Sequence, residues 1–567
     1  MTAASENIKV APSRYSVWSL GYLPLFICLG ISIVLMLYYL YDIRPFVLLR
    51  ADILMWAETN FVGSIIKLRT GIPFYTQAAD GNSSIYTPAA PIVTYAISWL
   101  IGQPTSIVAW RVIQLAFAVG AAGLATDCCR RLYRFAYPEH RLPFPKTWFV
   151  FVFVVMVLAV TMPRANRFIH CLHADSLALL ISLFSFWTML LYLKSPGLGR
   201  ILLMAICPAI GFLTKQYLLG WGAVMFAFLV LQQPRNIKHV AIFVAMSSGF
   251  VAMAIGLCYA LWGDAFLFWT FEIMGGPRKS LSLMGANNIA LARIIDHVMR
   301  AWFEIGVGIV GGWLILRGNN IRRLGPLYGA WVVLISIEAF TTGAGWDVLY
   351  HFGPGITIGT VWLFAALPPV WPWAPKSGER GFSQPAYWLR SLAAVAGVVS
   401  VFVAFHVVPT GNSNDHRYWH EHYSWQDINR YVAEIEHEFE GLPVDKVLLD
   451  VGNWIYLQHS VVAKDRAIPL SDQPPSNIYE NFEGFVERIQ DKTYAKILVS
   501  NFHSKNFLYD RQGYGWSKAS GVRDALQKHY REDHVIAAPE GGEPYPPMIR
   551  HTWPVSVFVP ITDADAP

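Results

Sequence analysis

The chain has 567 residues, of which 54% are hydrophobic and only 14% charged, and its mean hydropathy is +0.38. A soluble protein carries roughly 25% charged residues, so the apolar excess must face lipid, and a freely soluble enzyme or a disordered chain is excluded. The net charge of +6 is spread over many short loops with no basic tail, which points to membrane topology and away from nucleic acid.

Trp18 to Tyr41 is an uncharged stretch long enough to cross a bilayer, preceded by Lys9 and Arg14. It predicts a first transmembrane helix with a cytoplasmic N-terminus, not a cleavable signal. The segment 42–106 then reads as a first outer loop. It carries Arg50 and Asp52, Glu58, Lys67 and Arg69, the run Gly71 to Tyr75, and Tyr86 to Pro88. Pro88–Ile101 is too short for a full crossing, opens on proline and ends at Gly102, so it predicts a helix lying in the outer interface.

Ile107–Ala125 predicts a second crossing, running inward to the basic loop of Arg130, Arg131, Arg134, Arg141 and Lys146. Four more basic loops follow: Lys194 with Arg200, Arg235 with Lys238, Arg317 with Arg322 and Arg323, and Lys376 with Arg380 and Arg390. The positive-inside rule places all five on the cytoplasmic side. Between them fall Thr147–Met162, Ser176–Leu193, the short pair Ile201–Leu213 and Leu218–Leu231, Ala241–Trp262, Trp302–Leu316, Leu327–Phe340, Gly353–Leu367 and Leu392–Val408. The short pair puts Lys215 at an outer tip. This predicts about eleven transmembrane helices over 1–409, in an integral protein of a bacterial inner or plasma membrane, and leaves the C-terminus outside.

Residues 410–567 read as an extracytoplasmic α/β domain. Ser424 with Asp427 forms a capping box before apolar positions at Ile428, Tyr431, Val432, Ile435 and Phe439. Val447–Val451, Ile497–Ser500 and Val555–Val559 predict buried strands, and Phe482–Gln490 and Val522–Tyr530 the helices between them. The alternation suggests a small, layered, partly parallel sheet. The six cysteines, Cys28, Cys128, Cys129, Cys171, Cys207 and Cys258, all lie in or beside predicted spans, so the tail has no disulfide framework.

The chemistry gathers on the predicted outer face. Basic residues there run against the inside bias, which points to an anionic ligand; a phosphate ester at the interface fits. Lys215, Arg278, Lys279 and Arg167 are the candidate phosphate-binding groups. Asp52 is the candidate general base, Asp175 a second acid that orients an acceptor or a neighbouring cation, and Glu58 a third carboxylate. Tyr75, Tyr86, His173, Tyr350 and His351 complete the candidate substrate cleft. Simpler readings stand beside these. Asp175 precedes Ser176 and an apolar run, so it could serve as an N-cap. Lys215 could snorkel to headgroups, and Glu58 could lie on a solvated helix face. His170 and His173 have metal-ligand spacing, but most such pairs bind nothing; a divalent metal is possible, no metal ligand set is assigned and no cofactor is required. Glu338, inside a predicted span, either faces a cavity or bonds to another helix.

The order of these motifs resembles the GT-C glycosyltransferases. Asp52, Gly71 to Tyr75 and Tyr86 to Pro88 are similar to that superfamily's first outer loop. The run His173 to Leu179 resembles its second-loop acid. Gly211 to Lys215 resembles a Gly-x-x-Thr-Lys segment of the lipid A aminoarabinose transferase and its relatives, and Trp346 to Pro354 their late outer loop. Protein mannosyltransferases are more distantly similar. The resemblance covers roughly residues 18–370. It implies a GT-C fold and an inverting hexosyl- or pentosyltransferase. The implied donor is a polyprenyl-phosphate sugar, and the implied acceptor a cell-envelope glycan, lipid or protein on the extracytoplasmic face. It also implies Asp52 as base, Asp175 as second acid and Lys215 as phosphate contact. The chain departs from the pattern at Ile53, where many relatives have Glu after Asp. It departs again at Tyr86-Thr87, where the aminoarabinose transferase has Glu-Lys. The sugar therefore stays open among neutral hexoses, pentoses and uronic acids, the last as in galacturonosyl transferases of similar architecture. A rival from another class, a flippase for an anionic lipid-linked sugar, calls for midplane charges and inverted repeats. A non-catalytic scaffold is the third reading.

Overall fold

The computed structural model describes residues 23–49, 56–71, 73–75, 86–142, 144–161, 169, 171–232, 236–272, 289–317, 320–343, 352–369, 371, 424–438, 440–443, 446–450, 483–500, 502–503, 521–537 and 554–562. Its helices in the first part are α1 Leu23–Leu48, α2 Trp56–Thr70, α3 Ala89–Leu100, α4 Ile107–Ala136, α5 Pro145–Thr161, α6 Asp175–Lys194, α7 Leu198–Thr214, α8 Trp221–Leu231, α9 Ile237–Leu267, α10 Ile289–Arg300, α11 Trp302–Leu316, α12 Ile321–Gly343 and α13 Gly353–Ala366.

Each of the first ten expected crossings coincides with a helix; the eleventh, Leu392–Val408, lies outside the described residues. Among the described residues five spans are long and apolar enough to cross a membrane: Leu23–Leu48, Ile107–Ala136, Asp175–Lys194, Ile237–Glu272 and Ile321–Thr341. Only 17% of the α9 window is buried in protein, and its Met253, Leu257 and Leu261 stand exposed. An apolar face that meets no protein must meet hydrocarbon, so this is an integral membrane protein.

Several helices outrun their expected ends. The end of α4 that carries basic residues continues through Arg130 and Arg131, because their guanidinium groups pair with Oδ1 and Oδ2 of Asp127 on the same helix, and Oδ2 also accepts from Trp187 Nε1 of α6 at 2.8 Å. Charges satisfied in this way need not end a helix. At this same end Tyr192 of α6 meets His239 of α9 at 2.7 Å, and Asn320 donates to the Ala136 carbonyl at 2.9 Å. The ends of α4 and α6 that carry basic residues therefore lie together with the start of α9 and the turn before α12. Successive long helices reverse direction, so the starts of α4 and α6 and the junction of α7 with the next turn all lie at the opposite end.

The second part contains α14 Trp425–His437, β1 Val447–Asp450, α15 Glu483–Gln490, β2 Lys496–Ser500, α16 Val522–His529, β3 Tyr530–Ile536 and β4 Val555–Pro560. The Ser424–Asp427 capping box is present. Strand order is β1-β2-β4-β3; β1 and β2 are parallel, and the other pairs antiparallel. One face packs Leu448, Ile497, Val499 and Phe558 under Ile489 of α15 and Leu526 of α16. The other face, with Val447, Leu498 and Val557, packs with Tyr431 and Ile435 of α14 in an apolar cluster that also holds Phe46 of α1, Phe61 of α2 and Trp110 of α4. The mixed layered sheet was expected; β3 was not. Its sequence, Tyr-Arg-Glu-Asp-His-Val-Ile, buries only its two ends, and as an edge strand it is dominated by charge.

Candidate active site

The end of the bundle remote from the basic loops holds a buried polar cluster. α7 ends at Thr214, and Lys215 follows in extended conformation, φ −159° and ψ 127°. A short 3-10 turn, Gln216–Gly220, then leads into α8. This break lets the Lys215 side chain leave the helix axis and reach across to α6. There Nζ meets Asp175 Oδ1 in a direct ion pair between residues that are only 4% and 6% exposed. An ammonium and a carboxylate this deep are costly unless paired. Asp175 is the first residue of α6, whose N-cap is Ala174, and no side chain caps that end. The capping explanation therefore does not apply: the Asp175 carboxylate turns to Lys215.

His173 approaches from the other side of Asp175. Its Nδ1 lies 3.1 Å from Oδ2, at ion-pair distance. The imidazole packs edge-on to Phe61, with centroids 4.7 Å apart, and to Tyr86 at 5.7 Å. Burial pulls the His173 pKa down, against the opposing pull of Asp175, so a neutral ring beside the carboxylate is favoured. Lys215 Nζ also stands 5.5 Å over the Tyr217 ring, and Tyr217 lies within electrostatic reach of both Asp175 and Glu338. Glu338 of α12 is 1% exposed; its Oε1 accepts from the Gly355 N–H at the start of α13, 3.1 Å away.

Glu58 has a different setting from a free carboxylate or a solvated helix face. It is fully buried and forked by Arg111 of α4, with Nε to Oε1 at 2.8 Å and Nη2 to Oε2 at 2.6 Å. Bidentate pairing of this kind occupies both oxygens. Tyr75 is also enclosed. It is 3% exposed, donates to the Tyr86 carbonyl at 2.6 Å and lies among Phe74, Trp262 and Phe266. It therefore walls the loop from behind, and burial raises its phenol pKa. Tyr86 is half-buried beside His173. Lys67 donates to the Phe74 carbonyl at 3.3 Å and holds the same wall.

Asp52, Arg167, His170, Arg278, Lys279, Tyr350 and His351 lie outside the described residues. No group of three or more metal-ligating side chains occurs among the described residues. Three residues at this end went unremarked in the sequence. Tyr217 stood in the short gap between the expected spans Ile201–Leu213 and Leu218–Leu231. Arg111 and Glu304, 1% exposed in the first turn of α11, each had a visible signal: a charge inside an apolar run.

An integral membrane bundle whose fully buried ion pairs, among the described residues, lie at one end, together with a small α/β domain, is thus the class that fold and site define. Among solved structures the chain is similar to the Archaeoglobus fulgidus oligosaccharyltransferase in the apo form, at 13% identity and TM-score 0.48, over 94% of this chain and 76% of that one. It is also similar to archaeal oligosaccharyltransferase AglB from Archaeoglobus fulgidus in complex with an inhibitory peptide and a dolichol-phosphate, at 12% identity and TM-score 0.47, over 97% and 75% of the two chains. No family model matches the sequence, and no curated protein matches it.

Proposed function

We propose that the protein is an inverting glycosyltransferase of the GT-C type that takes a sugar from a polyprenyl-phosphate donor at the extracytoplasmic face. The observation that carries this reading is the Asp175–Lys215 pair. Two residues 40 apart in sequence, each at a helix end, meet where a lipid headgroup would arrive, at the end of the bundle away from the basic loops. Eleven crossings, with the N-terminus inside and the α/β domain outside, complete the arrangement.

In the proposed reaction the acceptor oxygen attacks the anomeric carbon while the bond from that carbon to the phosphate oxygen breaks. The leaving phosphate keeps the electron pair, and Asp52 takes the acceptor proton. Lys215 receives the developing phosphate charge, with Arg278, Lys279 and Arg167 as further cations on the same face. Asp175 holds Lys215 in place before the donor arrives, and neutral His173 shields that carboxylate from the loop. Base catalysis of this kind contributes about 10²–10⁴-fold.

Asp52→Asn is expected to abolish transfer and leave the folded state intact. The measurements are transfer from lipid-linked sugars by purified protein, and mass spectrometry of envelope glycans from a deletion strain complemented with the variant. Near-normal transfer by Asp52→Asn removes that residue from the mechanism. The flippase reading has one observation in its favour, the buried acids Glu304 and Glu338 inside helices. Both sit near helix ends, not at mid-helix, which favours the enzyme. Lipid movement without bond formation in the same assay would reverse that preference.

A further inference from the structure

We propose that Arg111 and Glu58 are the positioning pair of this site. Together they lock the exit of α1, where the segment carrying Asp52 begins, against the turn that carries His173 and Asp175. The inference rests on the transferase reading above and deepens it: neither residue needs to touch substrate.

Arg111 is the only charge between Ile107 and Ala125, and it is 1% exposed. A guanidinium so placed is tolerable only if its donors are matched. The matches come from two directions. Nε and Nη2 fork onto Glu58 at 2.8 and 2.6 Å, while Nη1 donates to the Phe46 carbonyl at 2.9 Å and to the Leu49 carbonyl. Glu58 Oε1 accepts a second bond, from the Leu172 N–H at 2.7 Å. One ion pair therefore ties together three stretches far apart in sequence: the end of α1, the first turn of α2 and the turn before α6. Leu49 stands three residues before Asp52, and Leu172 stands one before His173 and three before Asp175. Whatever shifts this pair shifts the exit of α1 relative to the turn that carries His173 and Asp175.

The planar fork is what makes the junction possible. Arginine presents several donors in fixed directions, whereas a lysine ammonium is a single point of charge. Arg111→Lys keeps the charge but cannot reach Glu58 and both carbonyls in the same geometry. Glu58→Gln keeps one oxygen, able to accept from Leu172 and from Arg111 Nε, but sets an amide NH2 against the Nη2 donor and removes the counter-charge of a buried guanidinium. The swap Glu58→Arg with Arg111→Glu restores opposite charges but sets a carboxylate against two carbonyls. For a positioning pair Arg111→Lys, which keeps the buried charge pair and removes only the fork, is the discriminating change, and the swap does not rescue.

The test uses the full chain in lipid nanodiscs and three readouts. In Arg111→Lys, kcat for sugar transfer should fall about 10²-fold, the usual consequence of a displacement of about 1 Å. Binding of undecaprenyl phosphate alone should be unchanged, since Lys215 is untouched. Amide exchange should accelerate in residues 46–49 and 169–175. Unchanged exchange there overturns the inference, as does full transfer despite faster exchange. Loss of undecaprenyl phosphate binding in parallel with transfer overturns it too, because that is general damage. If wild-type protein neither binds undecaprenyl phosphate nor transfers sugar, the transferase reading falls, and the exchange comparison alone decides whether the pair couples the two segments.

Discussion

Asp175→Asn and Lys215→Met, made singly and together, should separate stability from transfer. Each single change leaves one member of a buried pair without its counter-charge, and breaking such a pair by removing one partner costs about 3–5 kcal/mol. The double variant carries no buried charge at this point, and replacing a whole buried pair by neutral groups of similar volume is often neutral or stabilising. Its unfolding midpoint should therefore return close to that of the wild type. Transfer should not return. Lys215 is the group proposed to meet the leaving phosphate, and loss of one such electrostatic contact costs about 10²–10³-fold, so all three variants should be impaired at least to that degree. Thermal unfolding in detergent and transfer from a lipid-linked sugar, measured on the same preparations, decide it. A double variant that is both stable and active would show the pair to be a structural staple and remove it from the mechanism.

Most of the bundle was legible because lipid imposes a long apolar run and a strong sign rule on the loops. The register of α11 coincided with the expectation from Trp302 to Leu316, and the break at Lys215 was signalled by one cation between two short apolar runs. The site was legible only in part. Asp175 and Lys215 could be picked out as charges at span ends, and their meeting is a fact of packing between α6 and the end of α7. Nothing local in the sequence discloses that Glu58 is held by Arg111 and not by water, because the partner stands 53 residues on. A rule was nonetheless available. A single arginine near the start of an apolar span calls for an acid, and Glu58 was one of the acids without an assigned partner. The aromatic wall behind Tyr75 was illegible for a different reason. Trp262 and Phe266 sit beside Gly263, which has φ +59°, and this bend in α9 turns the rings inward where a straight helix would send them elsewhere.

The second large effect concerns the helix pair that carries Gly355. Gly308 lies against Gly359, and Gly311 against Leu363, so α11 and α13 run in the same direction with their backbones touching. A Cβ built on Gly311 would stand 2.3 Å from the Leu363 nitrogen and 2.6 Å from its Cα. A side chain in the way could swing aside, but a helix backbone cannot, so Gly311→Ala must push the two helices apart. Overpacking of this kind costs about 1–3 kcal/mol and occasionally more, and here the upper end is expected. Gly306 is the control on the same helix. Nothing lies within 4 Å of its Cβ position, and alanine there should be neutral or stabilising by roughly 0.5–1 kcal/mol. Unfolding midpoints of the two variants give the comparison, and equal midpoints would refute the close-packed interface. Damage at Gly311 should also reach the site. Gly355, one helical turn before Gly359, donates its N–H to Glu338 and accepts from Trp331 Nε1 at 2.8 Å, while Glu338 lies within electrostatic reach of Tyr217 beside Lys215. Spreading α11 from α13 strains that chain of contacts at its origin. Gly311→Ala should therefore lose transfer at temperatures well below its unfolding midpoint, whereas a variant weakened only in the α/β domain should keep its activity until it unfolds.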